Sequence, residues 1–388
     1  MTEKNVLLDS WNTTGKSKEE LLKALKELTE RTKVIPTKTD NIDIFTVTGM
    51  ANPETLQGYR HGADGTVVSK IDMSAVTENL KNETLNSSFR CLLLGVERHE
   101  FLTTKKVLVT LSQRAGSSMG KAAQKTSIKV RFFLDAFYNA YMKECPADCQ
   151  VLYREAEGVK KIFSVFTDRY KLIPQYKVIG DLLSEFQKEF GNAEVRRYYI
   201  DNFETDILVE FPKKAEEFSR VYNLPEEVVP GVHIHVSDTG ESSFVFCGST
   251  RVGKKRITYI PGADFARAHT KGADITEIMT EINQTVFSEF TKMPERLMEL
   301  ITIDLKDPRE YVPKLVKHCE IRKNFGKDAE KEIAEKISAS INPTIQYTAY
   351  DLVQLFLDEG ADREAAYKNH ESIDKVRKCF SKAVFYKF

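Results

Sequence analysis

Gln150-Val-Leu-Tyr-Arg-Glu-Ala-Glu-Gly-Val-Lys-Lys-Ile-Phe-Ser-Val-Phe166 is the stretch whose reading decides the fold. Gln150 to Tyr153 and Lys161 to Phe166 are short apolar runs, and Glu155-Ala-Glu-Gly158 lies between them. Two such runs around a glycine-bearing polar segment predict an antiparallel hairpin. On the C-terminal side Thr167-Asp-Arg169 turns the chain, Tyr170 to Ile173 is extended, and Pro174 ends the run. Val178 to Phe190 then sets Ile179, Leu182, Leu183, Phe186 and Phe190 at helical spacing, and Gly191-Asn192 stops it.

The strand pattern continues through Arg196 to Ile200, Asp206 to Phe211, Val232 to Ser237 and Ser243 to Cys247, with Arg256 to Ile260 as one more. Asp238-Thr-Gly240 supplies a turn. From Asp274 onward the pattern is helical, with Ile275, Ile278, Met279, Ile282, Val286, Phe287 and Phe290 in register. Pro294 breaks or restarts that helix, and Asp307-Pro308 is a good start for another. A later helix opens at Thr348 or Asp351 and runs to Asp358 before Gly360, and Asp362 to Phe385 closes the chain.

On the N-terminal side, Ser17 and Glu20 form a capping box for a helix to Arg31, with Leu21, Leu25 and Leu28 on one face. Ile42 to Thr48 alternates as a strand, and Gln57 to Gly65 is turn-rich with His61 in a loop. Phe89 to Val96 and Lys106 to Leu111 are expected to pair as a hairpin across His99 to Thr104. Val130 to Met142 is a helix that ends before Pro146. The expected class is α+β, an antiparallel β-sheet core with segregated helices and a helical C-terminal region. Cys145-Pro-Ala-Asp-Cys149 is the expected boundary between an N-terminal α+β domain with a basic hairpin and loop (1–147) and a second α+β unit (148–388).

Residues 148–385 resemble the phage/plasmid-like domain-of-unknown-function family. Four stretches in order carry the resemblance: Phe163-Ser-Val-Phe-Thr-Asp-Arg-Tyr-Lys-Leu-Ile-Pro-Gln175, the helix after it, His235-Val-Ser-Asp-Thr-Gly-Glu-Ser-Ser-Phe244, and Tyr347-Thr-Ala-Tyr-Asp-Leu352. After Phe246 the chain departs from that pattern with Cys247-Gly-Ser-Thr-Arg-Val-Gly-Lys-Lys-Arg256. The resemblance implies a phage or mobile-element setting and transfers no catalytic residue. The order of extended run, helix, antiparallel strands and long helix is also similar to the core of single-strand annealing recombinases, which implies oligomers that bind nucleic acid along a basic groove.

Lys plus Arg equals Asp plus Glu at 57 each over 388 residues, so any electrostatic steering must come from local patches. One such patch is clear. Between Phe101 and Leu134 there are seven cations, Lys105, Lys106, Arg114, Lys121, Lys125, Lys129 and Arg131, and no Asp or Glu. A second acid-free run separates Glu241 from Asp264 and holds Arg251, Lys254, Lys255 and Arg256, flanked by Phe244, Phe246 and Tyr259. Cations beside glycines and aromatics suit phosphate contact with base stacking, whereas strand aromatics more commonly pack inward.

Other motifs are weaker. Gly116-Ser-Ser-Met-Gly-Lys-Ala122 is one residue short of a phosphate-binding loop and has Ala122 in place of the metal-holding hydroxyl. His233 and His235 share one face of a strand and, with Asp238 or His269, are the candidate ligands of a metal-dependent enzyme. Cys145 and Cys149 lack a second pair for zinc, and the cysteines as a group read as reduced thiols. Asp168-Arg-Tyr170 is a turn contact or a binding element.

These readings lead to an expectation. The protein is a non-catalytic nucleic-acid-binding component of a mobile element, acting on single-stranded DNA in annealing, recombination or replication, as a homo-oligomer. No cofactor or metal is expected. The interface is Arg114, Lys121, Lys125, Lys129, Arg131, Arg251, Lys254, Lys255 and Arg256, converging on one cleft. The polar start at Met1 and the lack of any apolar run of about 20 residues predict a protein of the host cytoplasm that does not span a membrane. The competing expectations are a phage structural or anti-defence protein that binds a host or phage protein, and the histidine-based metalloenzyme.

Overall fold

The computed structural model describes residues 6–48, 57–61, 66–72, 80, 92–96, 99–114, 116, 128–240, 243–254, 256–269, 274–367 and 370–388. The N-terminal elements are β1 (Asn12–Gly15), α1 (Lys18–Arg31), β2 (Thr32–Lys38), β3 (Ile42–Thr48), β4 (Gln57–His61), β5 (Val67–Asp72), β6 (Leu92–Val96), β7 (His99–Thr103), α2 (Lys105–Arg114) and α3 (Ile128–Glu144). The middle comprises β8 (Asp148–Ala156), β9 (Val159–Thr167), α4 (Gln175–Phe190), β10 (Glu194–Asp201), β11 (Thr205–Glu210), α5 (Pro212–Val221), β12 (Val228–Val236), β13 (Phe244–Val252) and β14 (Arg256–Arg267). The remainder is mainly helical: α6 (Ile275–Thr285), α7 (Lys292–Ile301), β15 (Asp304–Leu305), α8 (Val312–His318), α9 (Ile321–Phe325), α10 (Lys327–Ser340), β16 (Tyr347–Thr348), α11 (Ala349–Ala366) and α12 (His370–Phe380).

The opening hairpin forms as read. β8 and β9 pair antiparallel from Cys149↔Thr167 to Ala156↔Val159, and the two turn residues, Glu157 (φ 47°) and Gly158 (φ 81°), are both left-handed. That conformation matches the right-handed twist of the strands it joins. Two large sheets result, one of six strands in the order β1-β10-β11-β12-β13-β14 and one of eight in the order β2-β8-β9-β7-β6-β3-β4-β5, and β15 pairs with β16 in a small third. All described pairings are antiparallel except β7 with β9. The class is α+β.

One face of the six-stranded sheet is apolar. Ile207, Val209, Val232, Ile234, Phe244 and Phe246 are buried there in one cluster with Leu21 and Leu25 of α1, Leu182 and Phe186 of α4, and Ile278 and Ile282 of α6. Each fully buried side chain of this size contributes about 1.5–3 kcal/mol relative to exposure. A second, smaller core joins Ile44, Phe101, Val151, Ile162 and Val165 of the eight-stranded sheet to α2 and α3.

Four expectations need correction. The boundary at 147/148 falls inside the eight-stranded sheet, because β8 and β9 pair with β2 and β7. Lys106 to Leu111 is helix, so the cations expected on a hairpin lie on α2 instead. Its Val-Leu-Val run favours strand locally, but Val107 and Leu111 lie four apart and both bury against β9. His61 ends strand β4 rather than lying in a loop. α11 runs through Gly360, which serves close packing: a Cβ there would come within 2.8 Å of Phe380. Ser17 caps α1 by accepting from the Glu20 amide, and Thr348 and Asp351 form a reciprocal capping box at the start of α11.

Candidate nucleic-acid interface

α2 and α3 bury residues in one core and meet through a few side chains. α2 buries Val107 and Leu111, and its Thr110 Oγ1 accepts from the Val165 amide of β9 at 3.2 Å. α3 buries Leu134, Tyr138 and Met142 on the same core. Its Asn139 amide brackets Ile44, donating to the carbonyl at 2.8 Å and accepting from the N–H at 2.7 Å. Ser112 donates to Tyr138 Oη at 3.0 Å, tying the helices together. Gly116, just past α2, lies so near α3 that a Cβ on it would be 3.1 Å from Tyr141 Oη.

Five of the seven cations of the first basic run lie on these two helices. Lys105, Lys106 and Arg114 fall on α2, and Lys129 and Arg131 fall on the first turns of α3. Lys121 and Lys125 lie outside the described residues, as does most of the Gly116–Ala122 motif. Asp135, the first acid after the run, is 7% exposed and contributes little to the outer face. Arg114 Nε is buried with no hydrogen-bond partner among the described residues. α3 also turns apolar groups outward, with Val130, Phe133 and Phe137 at 46%, 63% and 41% exposure.

The second basic run does not join the first. It sits at the β13–β14 turn of the other sheet, and two of its members are held by acids. Arg251 Nε donates to Glu210 Oε1 and Oε2 at 3.0 and 3.1 Å, and Nη1 to Glu227 at 3.2 Å. Arg256 donates to Asp358 at 2.6 and 3.0 Å and to Glu226. Burial opposes the Arg251 charge, but Glu210 and Glu227 outweigh it and raise the pKa; Asp358 and Glu226 do the same for Arg256. Both guanidinium groups are committed to the fold and are withdrawn from the candidate interface. Lys254 is exposed and borders a cavity of about 400 Å³ with Arg196, Arg251, Glu364 and Tyr367. Lys255 is outside the described residues. Phe244 and Phe246 face the apolar core, so they are not stacking groups.

His233 and His235 do share a face, the polar face of the six-stranded sheet. His233 Nε2 meets Asp206, and its Nδ1 lies 3.1 Å from Tyr259 Oη, which donates to Asp374 of α12 at 2.7 Å. Arg377 of the same helix is held bidentately by Glu364 of α11. Burial raises the Tyr259 pKa well above its ordinary value, and the nearby Asp374 charge adds to the effect. For His235 burial works against the charge, yet Asp206, Glu204 and Asp374 prevail and its pKa is raised. Among the described residues no group of three His, Cys, Asp or Glu side chains is arranged to hold a metal ion. The cluster instead fastens α12 to the sheet. Cys247, the cross-strand neighbour of His233, has its thiol pushed up to about 11 by burial, as has Cys149.

A further buried site was not legible in the sequence. Arg154 of β8 is 1% exposed and donates to Thr32 Oγ1 at 3.1 Å and to Asn202 O and Oδ1 at 2.6 and 2.8 Å. It lies 3.8 Å from Asp238 at the β12–β13 turn. Burial lowers the Arg154 pKa to about 10 and raises that of Asp238. Tyr170 stacks between Phe166 and His269 at 3.7 and 4.7 Å and donates to Asp238 O at 3.0 Å, which gives Asp168-Arg-Tyr170 a structural role. Two of the quoted stretches therefore meet in space, also through Ser164 donating to Thr239 O at 2.9 Å.

Comparison with known protein families, curated proteins and solved structures finds no match to this chain. Among the described residues no helix is long and apolar enough to cross a membrane.

Proposed function

We propose that this protein binds nucleic acid without catalysing a reaction, and that the α2–α3 pair is the contact surface. The observation that supports this most is that five cations of one acid-free run, Lys105, Lys106, Arg114, Lys129 and Arg131, fall on two helices that share a core and touch through Ser112 and Tyr138. Clustered cations with no interspersed acid raise the local concentration of phosphate and release counterions on binding. The contact set becomes Arg114, Lys121, Lys125, Lys129 and Arg131, joined by Lys105 and Lys106. The family resemblance supplies a mobile-element setting, in which an oligomer of such chains would coat or anneal strands.

Fluorescence anisotropy with labelled oligonucleotides across a salt series tests this. Affinity should fall steeply with salt. Lys121→Ala, Lys125→Ala and Lys129→Ala together should reduce the log–log salt slope on single strands by roughly 2, from about 0.7 per lost phosphate contact. Lys254→Ala should leave that slope unchanged. An unaltered slope in the triple variant, or no binding by the wild type at low salt, rejects the assignment.

A further inference from the structure

We infer that Phe133 and Phe137 of α3 form a base-stacking step that makes the α2–α3 surface select unpaired strands, an inference that rests on the nucleic-acid reading above. Large aromatic side chains in a helix of this kind normally bury, and their neighbours do: Phe132, Leu134 and Tyr138 are 7%, 7% and 1% exposed. Phe133 and Phe137 instead stand out at 63% and 41%. They are four residues apart, so both project from the same stripe of α3, one turn from each other. Phe137 is steadied from behind by Tyr138 and Tyr141, with ring centroids 5.7 and 6.1 Å away. A ring held this way loses little side-chain entropy when a base is laid on it.

Charge decides what the stripe fits. Lys129 lies one turn before Phe133 on the same helix, Arg131 is close by in sequence, and no acid occurs in the run until Asp135, which is buried. An apolar stripe that follows two cations on its own helix, with the nearest acid in sequence buried, complements a chain that offers flat apolar faces and a regular anionic backbone. Single-stranded nucleic acid has both, and every base carries a π-face, so the preference is for strand type rather than sequence. In a duplex those faces are already stacked on each other, and only the phosphates remain for the cations. A protein partner without clustered acids would match the phenylalanines without using the positive charge of Lys129 and Arg131.

The test separates this from its parent reading. Phe133→Ala with Phe137→Ala removes side chains that point away from the core, so folding should persist by circular dichroism. Single-strand affinity should drop about five- to a hundredfold for each ring that stacks, while duplex affinity and the salt slope stay as in wild type. Phe137→Tyr should keep single-strand binding, and Phe137→Leu should lose it. Trp11 is the only tryptophan, so Phe137→Trp in a Trp11→Phe background gives a local reporter whose emission single strands should quench. Equal losses for duplex and single strand, or wild-type binding by Phe137→Leu, would overturn the stacking claim while leaving the cationic surface intact. Sedimentation that shows the double alanine variant splitting an assembly would overturn it too, by making the stripe a contact between copies. A wild type that binds neither strand type brings down both proposals.

Discussion

Arg154→Ala should be among the most damaging single substitutions in the molecule. The guanidinium is 1% exposed and carries four kinds of contact: Thr32 Oγ1, both oxygens of Asn202, the Asp238 carboxylate at 3.8 Å, and the Phe163 ring with its centroid 4.6 Å away. Asn202 in turn donates to the Val6 and Leu8 carbonyls at 2.8 and 2.6 Å, so the damage reaches the N-terminal segment. Hydrogen bonds to a charged donor contribute about 1.5–3 kcal/mol each, but they are not additive once the same cavity opens. Removing one member of a buried charged pair costs about 3–5 kcal/mol, chiefly because the other is left unpaired. The expected loss is therefore about 4 kcal/mol. Asp238→Asn should cost less, since the ion-pair distance is long, an amide keeps the shape of the carboxyl group, and Arg154 retains its bonds to Thr32 and Asn202. Arg154→Lys should fall between, because an ammonium group cannot span Thr32 and both Asn202 oxygens. Urea titration followed by circular dichroism measures all three. Arg154→Ala within 1 kcal/mol of wild type, or Asp238→Asn as damaging as Arg154→Ala, would refute the view that Arg154 fastens the β8–β9 hairpin to the turns of the other sheet.

Two further outcomes are expected. The folded pKa of His235 is raised above 6.5, so the folded state binds this proton more tightly than the unfolded chain does. Its contribution to stability is complete below about pH 6.5 and is lost as pH rises through the folded value; melting temperatures from pH 5.5 to 8.5 should decline for wild type and flatten for His235→Gln, and identical slopes would contradict this. Gly360→Ala puts a methyl group within 2.8–2.9 Å of Phe380, which should cost about 1–3 kcal/mol and expose the α11–α12 region to limited proteolysis, whereas unchanged melting and digestion would show that Phe380 yields without cost.

Much of the strand and helix content was readable because its causes are local. The glycine-bearing turn at Glu157-Gly158, the stop at Gly191 and the Thr348–Asp351 cap each act within a few residues. Lys106 to Leu111 was misread because β-branching and helical burial compete there, and the bond between Thr110 and Val165, 55 residues apart, lies on the winning side. The site was half readable. Charge sign along the chain marked Lys105 to Arg131, and five of those seven cations fall on α2 and α3. The same signal marked Arg251 and Arg256, yet their acids, Glu210, Glu226, Glu227 and Asp358, lie 24 to 102 residues away and no acid-free window could reveal them. The exposure of Phe133 and Phe137 was not readable, since nothing in the spacing of Phe132, Phe133 and Leu134 says which of them the sheet will cover.

What the sequence determined by itself was the α+β class, the places where elements begin and stop, and where positive charge goes unanswered along the chain. These depend on dihedral preference and hydrophobic period over a handful of neighbours. Only the tertiary structure decided that β8 and β9 complete the N-terminal sheet, that Arg251 and Arg256 spend their charge internally, and that two phenylalanines of α3 face outward. Each of those is a pairing between distant segments, chosen by which partners the folded chain brings within a few ångströms.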